Sequence, residues 1–441
     1  MSIRKFINDF SQNLFPWRNN NPKKLISLRF NFLWTLLGNV VYATSQWGIL
    51  ILISKFGSIN LLGKFALALA ITAPVIMFSN FALRAVQATD TTQRFEFGHY
   101  FALRLLTTSS AFLVIICIVF FMHYPFDTSL IVLMVGVAKS LEAISDVVYG
   151  LFQQNEWMNR ISISMIVKGI FSFISIAIGL LLGKNLFWGL VGMLIAWGGA
   201  LLFYDIPVAK KLLMLKTLND EIKPIWNWKK LYRLIYSVLP LGVAASLVSL
   251  NLNIPRYYLE RFLGENDLGV FAALAYPLTV GLIIINALGQ SASPRMARYF
   301  EKGEIKKFKK LLLKLTGFGL ILGMAIFLLS LFWGGYLLAF MYKPEFSRYE
   351  TEFLWLTFAA GIEYTFSFMG YGMTATRFFK IQPIIYFISI AISVGLGYIL
   401  IPSYGMLGAA FLLVITNCFR SAAMLLVNII ALRQDISFRR L

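Results

Sequence analysis

Three charged residues occur within one long apolar stretch of the chain. Lys139, Glu142 and Asp146 follow one another at spacings of three and four residues. In an α-helix this spacing places all three side chains on one face. A charge held in the middle of a membrane costs a few kcal/mol or more, so it usually marks a cavity, a pathway or a buried ion pair. The three residues are therefore candidates for coupling or for lining a polar cavity, with an internal Lys139–Glu142 ion pair as the simpler alternative.

Further charges lie near the middle of other apolar stretches, namely Lys168, Glu363 and Arg420. Neither Lys168 nor Arg420 has an acidic neighbour within four residues on its own stretch. Each cation therefore needs a partner from another helix or an anionic ligand. A mobile lysine or a forked arginine can compensate the charge of an anion that leaves water. Two interpretations follow: the cations contact an anionic cargo, or they neutralise Glu142, Asp146 and Glu363.

A fourth polar region contains Asn251, Asn253, Pro255 and Arg256. Proline lacks a backbone N–H, so Pro255 is expected to bend its helix. Backbone groups freed at such a bend, together with the two amides, can line a polar cavity. Arg256 joins Lys139, Lys168 and Arg420 as a candidate substrate-binding cation, and Asn251 and Asn253 are candidate cavity residues.

The elements that must position these side chains are membrane-spanning helices. Hydrophobic residues make up 59% of the 441-residue chain, and about twelve stretches are long enough to cross a hydrocarbon core of about 30 Å as helices. About 30 of the 40 Lys and Arg residues fall in the tails and alternate loops on one side, which the positive-inside rule assigns to the cytoplasm. We therefore expect an all-α polytopic protein of an inner membrane or plasma membrane with both termini cytoplasmic. The predicted spans are 30–54, 61–83, 101–122, 128–151, 158–182, 186–207, 235–257, 268–290, 312–335, 353–374, 382–402 and 406–430.

The same composition argues against several other classes of protein. The net charge of +20 is explained by basic loops next to the membrane, which attract anionic lipids, so nucleic-acid binding is not expected. With two histidines and no CxxC or HExxH motif, neither a metal site nor another cofactor is expected. The predicted external loops are too short for a catalytic domain. We expect no catalytic residue and no enzymatic activity.

The chain also contains an internal repeat. Residues 55–84 align with residues 261–290 at a constant separation of 206, pairing Gly63 with Gly269 and Asn80 with Asn286. A repeat unit with an even number of spans inserts both copies in the same orientation, as in transporters that rock about a central cavity. The repeat predicts two parallel six-helix lobes. The predicted division is an interfacial segment 1–25, lobes 26–207 and 230–432, a basic linker 208–229 and a tail 433–441.

Four runs carry a resemblance to a known family: NIPRYYLERFLGENDLGVFAALAYPL, its first-half counterpart SKFGSINLLGKFALALAI, KSLEAISDVVYGLFQQNEWMN and SASPRMARYFEKGEIKKFKKLLLK. They resemble the polysaccharide-transporter branch of the multidrug/oligosaccharidyl-lipid/polysaccharide (MOP) exporter superfamily, especially the O-antigen and repeat-unit flippases called Wzx. Many members have an aspartate directly before the arginine of span 7, where this chain has Pro255. The coupling role of that aspartate therefore does not carry over, whereas Arg256 does.

The resemblance implies a MATE-like fold and transport of an undecaprenyl-diphosphate-linked oligosaccharide from the cytoplasmic to the outer leaflet, in the biosynthesis of O-antigen, lipopolysaccharide or another surface polysaccharide. It implies membrane lipids as surroundings and the polymerase and glycosyltransferases of the same pathway as partners. A MATE-like antiporter of drugs or other cations is the alternative function. Such an antiporter would favour acidic and aromatic residues in its cavity, whereas a diphosphate-lipid flippase would favour cations.

Overall fold

The described part of the chain is almost entirely helical in the computed structural model, which describes residues 28–90, 94–183, 185–217, 222–376, 378 and 381–438. Helices satisfy every backbone hydrogen bond within one segment, as hydrocarbon surroundings require. The twelve long helices in these residues are α1 Leu28–Phe56, α2 Ile59–Asn80, α3 Phe97–Met122, α4 Phe126–Gln154, α5 Met158–Leu181, α6 Leu186–Gly199, α7 Trp228–Leu263, α8 Glu265–Glu301, α9 Ile305–Met341, α10 Glu350–Ala375, α11 Gln382–Tyr404 and α12 Met406–Leu432.

Several helices continue or break in ways that the sequence did not indicate. Helix α2 is followed by a short helix, Leu83–Thr89, and α6 runs through a π-helical segment, Ala200–Asp205, into the helix Ile206–Thr217. The first part of the predicted linker 208–229 is therefore helical. Helices α11 and α12 form one run that ends at Phe438 and is broken at Gly405, where φ is 60° and ψ is −136°. Only glycine adopts such a conformation readily.

Membrane insertion is supported by length, composition and exposure. Ten helices within the described ranges are long and apolar enough to cross a membrane, and two more, α4 and α10, contain the mid-helix acidic residues Glu142 and Glu363. Large apolar side chains lie open on the helix faces: Phe203 is 79% exposed and Leu313 is 70% exposed. Such faces are stable in lipid and unfavourable in water. The prediction of an all-α polytopic membrane protein is confirmed.

Contacts between helices divide the chain into two compact units. The first contains residues 1–52 and 71–245, and the second contains residues 53–70 and 246–441. Each has its own apolar core, built around Phe152 and Tyr100 in the first unit and around Phe368 and Phe308 in the second. The division differs from the predicted lobes 26–207 and 230–432, because residues 53–70 pack with the second unit. The predicted segment 1–25 lies outside the described residues, and the superposition of the two lobes stays a prediction.

Inside the second unit, the starts of α2 and α8 meet through the two glycines that the repeat pairs. A Cβ added to Gly63 would meet the backbone oxygen of Glu265, and one added to Gly269 would lie 2.5 Å from the backbone oxygen of Ile59. These contacts are reciprocal at the repeat separation, since 59 corresponds to 265 and 63 to 269. A two-fold axis produces such self-complementary contacts, so this geometry supports the alignment of the repeat.

This contact predicts that Gly63→Ala destabilises the protein. The added methyl group would collide with a backbone carbonyl that cannot rotate away, and overpacking of this kind costs about 1–3 kcal/mol. Gly317→Ala in α9 is the matched control, because a Cβ there meets nothing within 4 Å and alanine favours a helix. Thermal unfolding of the purified protein in detergent measures the difference. Equal stability of the two variants would contradict the close contact.

Candidate functional site

The most deeply buried ion pair of the first unit joins α5 to α6. Lys168 Nζ lies 3.1 Å from Asp205 Oδ2, and the two side chains are 3% and 0% exposed. The ammonium group also donates to Tyr149 Oη at 3.0 Å and to Ser145 Oγ at 2.5 Å, both on α4. A lysine ammonium has three donors, so all of them are used by the protein. This arrangement matches the ion-pair interpretation of Lys168.

The position of Asp205 depends on the π-helical segment Ala200–Asp205. A π-helix bonds each residue to the fifth one along, and such segments occur frequently at functional sites. Asp205 lies two residues from the predicted end of span 6, and sequence reasoning did not identify it. An acidic residue within an apolar run was the available signal.

A second cluster lies near the middle of α4. Lys139 Nζ donates to Glu142 Oε2 at 2.7 Å, and Tyr42 Oη on α1 donates to Glu142 Oε1 at 2.6 Å. The Lys139 ammonium also lies 5.4 Å from the centroid of the Trp197 ring. The side chains of Lys139 and Glu142 are 26% and 33% exposed. The predicted internal pair is therefore present, and among the described residues Lys139 keeps donors that no protein acceptor fills.

Asp146 belongs to a third cluster, whose two cations sequence reasoning did not identify. Arg104 on α3 lies 3.3 Å from Asp146 Oδ2, and Arg84 lies 3.5 Å from Oδ1. Arg104 is fully buried and also donates to Asn80 Oδ1. Sequence reasoning did not select Arg104, which lies close to the start of the predicted span 101–122. Its position eight residues into α3 shows that it is an intrahelical charge.

In the second unit, Glu363 on α10 and Arg420 on α12 form a pair at mid-helix. Arg420 Nη2 donates to Glu363 Oε2 at 2.6 Å and to Asn417 Oδ1 at 2.5 Å. The guanidinium lies 5.4 Å from the centroid of the Tyr386 ring. The side chain of Arg420 is 6% exposed and that of Glu363 is 25% exposed. The partner of Arg420 is thus a residue of another helix, which is one of the two alternatives that its sequence context left open.

The polar residues of α7 form no comparable ion pair. Arg256 Nη1 donates to Asn253 Oδ1 at 3.0 Å, and Asn253 donates to the backbone oxygen of Ser249 at 2.8 Å. Asn251 donates to Ser389 Oγ on α11 at 2.7 Å. The helix is continuous from Trp228 to Leu263, and the bend expected at Pro255 stays a prediction. Arg256 is partly buried, and no ion pair with a carboxylate is found for it within the described residues.

These clusters leave an excess of positive charge within each unit. In the first unit four cations face three carboxylates: Arg84, Arg104, Lys139 and Lys168 against Glu142, Asp146 and Asp205. In the second, Arg256 and Arg420 face Glu363 alone. All three acidic residues that sequence reasoning selected are paired with cations. In the ranges that the structure describes, no group of three or more His, Cys, Asp or Glu side chains could hold a metal ion.

Comparison with known families and proteins gives a consistent result. Residues 28–300 match the model of a family described as polysaccharide biosynthesis protein. The chain is also similar to the capsular polysaccharide biosynthesis protein CapF of Staphylococcus aureus. The two are 27% identical over 387 residues, which cover 88% of this chain and 96% of the relative.

Solved structures show where the fold recurs. An inward-facing multidrug resistance MATE family transporter of the MOP superfamily matches 91% of this chain and 96% of its own, with a TM-score of 0.73 and 12% identity. A MATE transporter mutant of Vibrio cholerae matches over 91% and 95%, with a TM-score of 0.63 and 15% identity. A MOP superfamily transporter of Pyrococcus furiosus matches over 94% and 97%, with a TM-score of 0.62 and 15% identity. At these identities the similarity shows the fold, and the predicted MATE-like architecture is confirmed.

Proposed function

The chain belongs to the polysaccharide biosynthesis protein family and is a membrane transporter of the MOP type, and from this premise we propose that it translocates undecaprenyl-diphosphate-linked oligosaccharide repeat units. Transport runs from the cytoplasmic to the outer leaflet by alternating access and supplies O-antigen or another surface polysaccharide. The similarity to CapF, a capsular polysaccharide biosynthesis protein, supports a cargo from this class.

The observation that carries the proposal is the excess of cations over carboxylates in the clusters described above, four against three in the first unit and two against one in the second. A diphosphate headgroup is anionic and strongly hydrated, and it loses most of its water on entering a hydrocarbon layer. Fixed cations at that depth offset the lost hydration. The polyprenyl chain is itself apolar and needs no such compensation, because it can remain among the lipid tails.

Among the predicted substrate-binding cations, the contacts favour Arg256 and Arg420, followed by Lys139. A guanidinium has five N–H donors, and the Nε groups of Arg256 and Arg420 have no hydrogen-bond partner in the part of the chain that the structure describes. Lys168 has no donor left for a cargo in this arrangement. Glu142, Asp146 and Glu363, with Asn251 and Asn253, are proposed to tune these cations or to line the polar path.

Paired carboxylates do not favour transport of cationic drugs. A cation-binding cavity needs an acidic group with spare charge, and Glu142, Asp146 and Glu363 are each neutralised by a neighbouring cation. The MATE fold by itself does not settle the charge of the cargo. The Pyrococcus furiosus transporter of the same fold is described as having a binding pocket of reverse polarity.

The proposal includes a location and partners. The positive-inside rule supports a cytoplasmic location for both termini and for the basic residues 295–314, in a protein of the bacterial inner membrane. Membrane lipids surround the helices, and the polymerase and glycosyltransferases of the same pathway are the protein partners that a repeat-unit flippase would have. No cofactor, metal or nucleic acid takes part.

Deletion of the gene is expected to abolish surface polysaccharide while lipid-linked repeat units accumulate on the cytoplasmic side. Complementation with Arg256→Lys should restore part of the polysaccharide, since the charge is kept, and Arg256→Glu should restore none. Arg261→Ala is the control, because Arg261 lies on the same helix and is exposed. Gel analysis of surface glycan and extraction of lipid-linked units measure both effects, with immunoblots to compare protein levels.

Three other results would contradict the proposal. Altered drug susceptibility with normal surface glycan would favour the drug/cation antiporter. Repeat units that reach the outer face but stay single would point to polymerisation instead. Full complementation by Arg256→Glu would remove this cation from the transport path.

A further inference from the structure

A polar cavity of about 450 Å³ lies at one end of the second unit, away from the mid-helix clusters. Three segments form its walls: the α1–α2 connection, the first turn of α8 and the α9–α10 connection with its 3₁₀ helix Pro344–Tyr349. Its volume falls within the range of about 300–1,000 Å³ that is usual for small-molecule sites. None of the mid-helix candidates lines it.

The walls of this end cavity are fixed to one another by specific contacts. Asn60 Nδ2 on α2 donates to Glu265 Oε2 on α8 at 3.1 Å. Tyr342 Oη donates to the backbone oxygen of Ala273 on α8 at 2.7 Å, and the fully buried Phe346 ring stacks on Tyr342 at 5.1 Å. Lys55 Nζ donates to the backbone oxygen of Phe340 at 3.2 Å. The cavity is therefore held open by the protein itself.

Its polar lining has hydrogen-bonding capacity to spare. The side chains of Asn266, Asp267, Lys343 and Glu345 line the cavity, and within the described residues none of them makes a side-chain hydrogen bond to another protein group. Together they offer carboxylate acceptors, an amide that both donates and accepts, and an ammonium donor. Arg348 adds a second cation, 5.9 Å from the centroid of the Tyr349 ring.

This chemistry selects among possible ligands. The lining contains two carboxylates and two cations, so its formal charges balance. The carboxylates would repel a diphosphate, and the cations would repel a hydrophobic cation. A ring with many hydroxyl groups can use donors and acceptors at once, and the face of an aromatic ring such as Tyr349 can stack on the C–H groups of its apolar side. We propose that the end cavity is a carbohydrate-binding site, which holds one sugar ring of the translocated headgroup.

The position of the cavity indicates which stage of transport it serves. At the opposite ends of α8 and α9, the short connection and the first turns of α9 contain Lys302, Lys306, Lys307, Lys309 and Lys310. By the positive-inside rule that end faces the cytoplasm, so the cavity faces outwards. The site would therefore receive the glycan on the outer side, after the diphosphate has passed the mid-helix cations. This assignment rests on the proposed flippase function.

The test uses the full-length protein in lipid nanodiscs and the repeat-unit oligosaccharide of the host. Mild acid releases this oligosaccharide from its lipid-linked form by hydrolysing the sugar–diphosphate bond, which leaves it free of lipid and diphosphate. Isothermal titration calorimetry should show binding to the wild-type protein. Asp267→Asn and Glu345→Gln should each weaken that binding about tenfold, the scale of one hydrogen bond to a charged group. Glu352→Gln makes the same chemical change at the same end of the unit but outside the cavity, and should bind like wild type.

Two results would overturn the site: absence of binding to the wild-type protein, or unchanged affinity in both cavity variants. If one variant fails to fold, the other carries the test. The amount of surface polysaccharide after gene deletion tests the proposed function independently of the sugar-binding site. If gene deletion abolishes surface polysaccharide but the cavity variants keep the wild-type affinity for the oligosaccharide, the flippase function is kept and the sugar-binding site is rejected. If the purified protein binds the oligosaccharide through Asp267 but gene deletion leaves surface polysaccharide intact, the flippase function is rejected and the sugar-binding site is kept.

Discussion

Asp205→Ala is expected to lose about 3–5 kcal/mol of stability, which would remove most of the protein from the membrane, because the change leaves a buried cation unpaired. Lys168 is 2% exposed, so its ammonium group cannot recover hydration once Asp205 is gone. Membrane abundance and thermal unfolding measure the loss. Glu304→Ala is the control, since it breaks an exposed Lys307–Glu304 pair of 2.9 Å and should cost about 0–1 kcal/mol.

A double replacement tells whether this pair serves structure or transport. Lys168→Met combined with Asp205→Leu removes both charges together, and such replacements are often neutral or stabilising. If the pair is structural, the double variant should be abundant and should support surface polysaccharide. An abundant double variant without polysaccharide would show that Lys168 acts in transport, as the original prediction for this residue states. Wild-type abundance of Asp205→Ala alone would contradict the buried pair.

Arg420→Ala is expected to reduce transport about tenfold to a hundredfold, which corresponds to the loss of a charge-assisted hydrogen bond of about 1.5–3 kcal/mol. Stability should fall less than for Asp205→Ala, because the partner Glu363 is 25% exposed and can be partly hydrated. Arg420→Lys keeps the charge but not the forked geometry, so partial transport is expected. Surface polysaccharide, normalised to protein level, measures both variants.

Reversal of the Arg420–Glu363 pair separates the two interpretations of Arg420. The double variant Arg420→Glu with Glu363→Arg keeps an ion pair between α10 and α12 while it moves the cation to the other helix. If Arg420 only pairs, both abundance and transport should return. If it meets the cargo, abundance should return without transport. Full transport in Arg420→Ala at normal abundance would remove this residue from the mechanism.

Much of the fold could be predicted because its signals are local. Twelve long helices occur where apolar stretches were found. The observed and predicted bounds differ where a helix continues beyond its apolar stretch, as in Ile206–Thr217 after α6 and in the run to Phe438. The bend expected at Pro255 stays a prediction, since a helix that continues from Trp228 to Leu263 can bend at a proline without ending there. Helices in a bilayer tolerate proline when neighbouring groups satisfy the freed backbone, and spacing along one chain does not reveal those neighbours.

The candidate site was predictable in its residues and less so in its pairings. Lys139 and Glu142 are three residues apart on one helix, so their ion pair follows from the sequence alone. Arg420 and Glu363 were both selected, but nothing in their separate stretches indicates that they meet. Asp205 and Arg104 were missed, although each complements a selected charge, because both lie close to the predicted ends of their spans.

The sequence by itself determined that this chain crosses a membrane many times, that it repeats internally and that it holds charges at depths where hydrocarbon makes them costly. These properties depend on composition and on the period of a single helix. Only the tertiary structure decided which charges neutralise one another and which keep unused donors, as Lys168 and Arg256 show. The physical reason is that a pair across helices depends on the rotation and depth of both helices. In α6 the π-helical segment sets the position of Asp205, and packing against α4 and α5 fixes its partner.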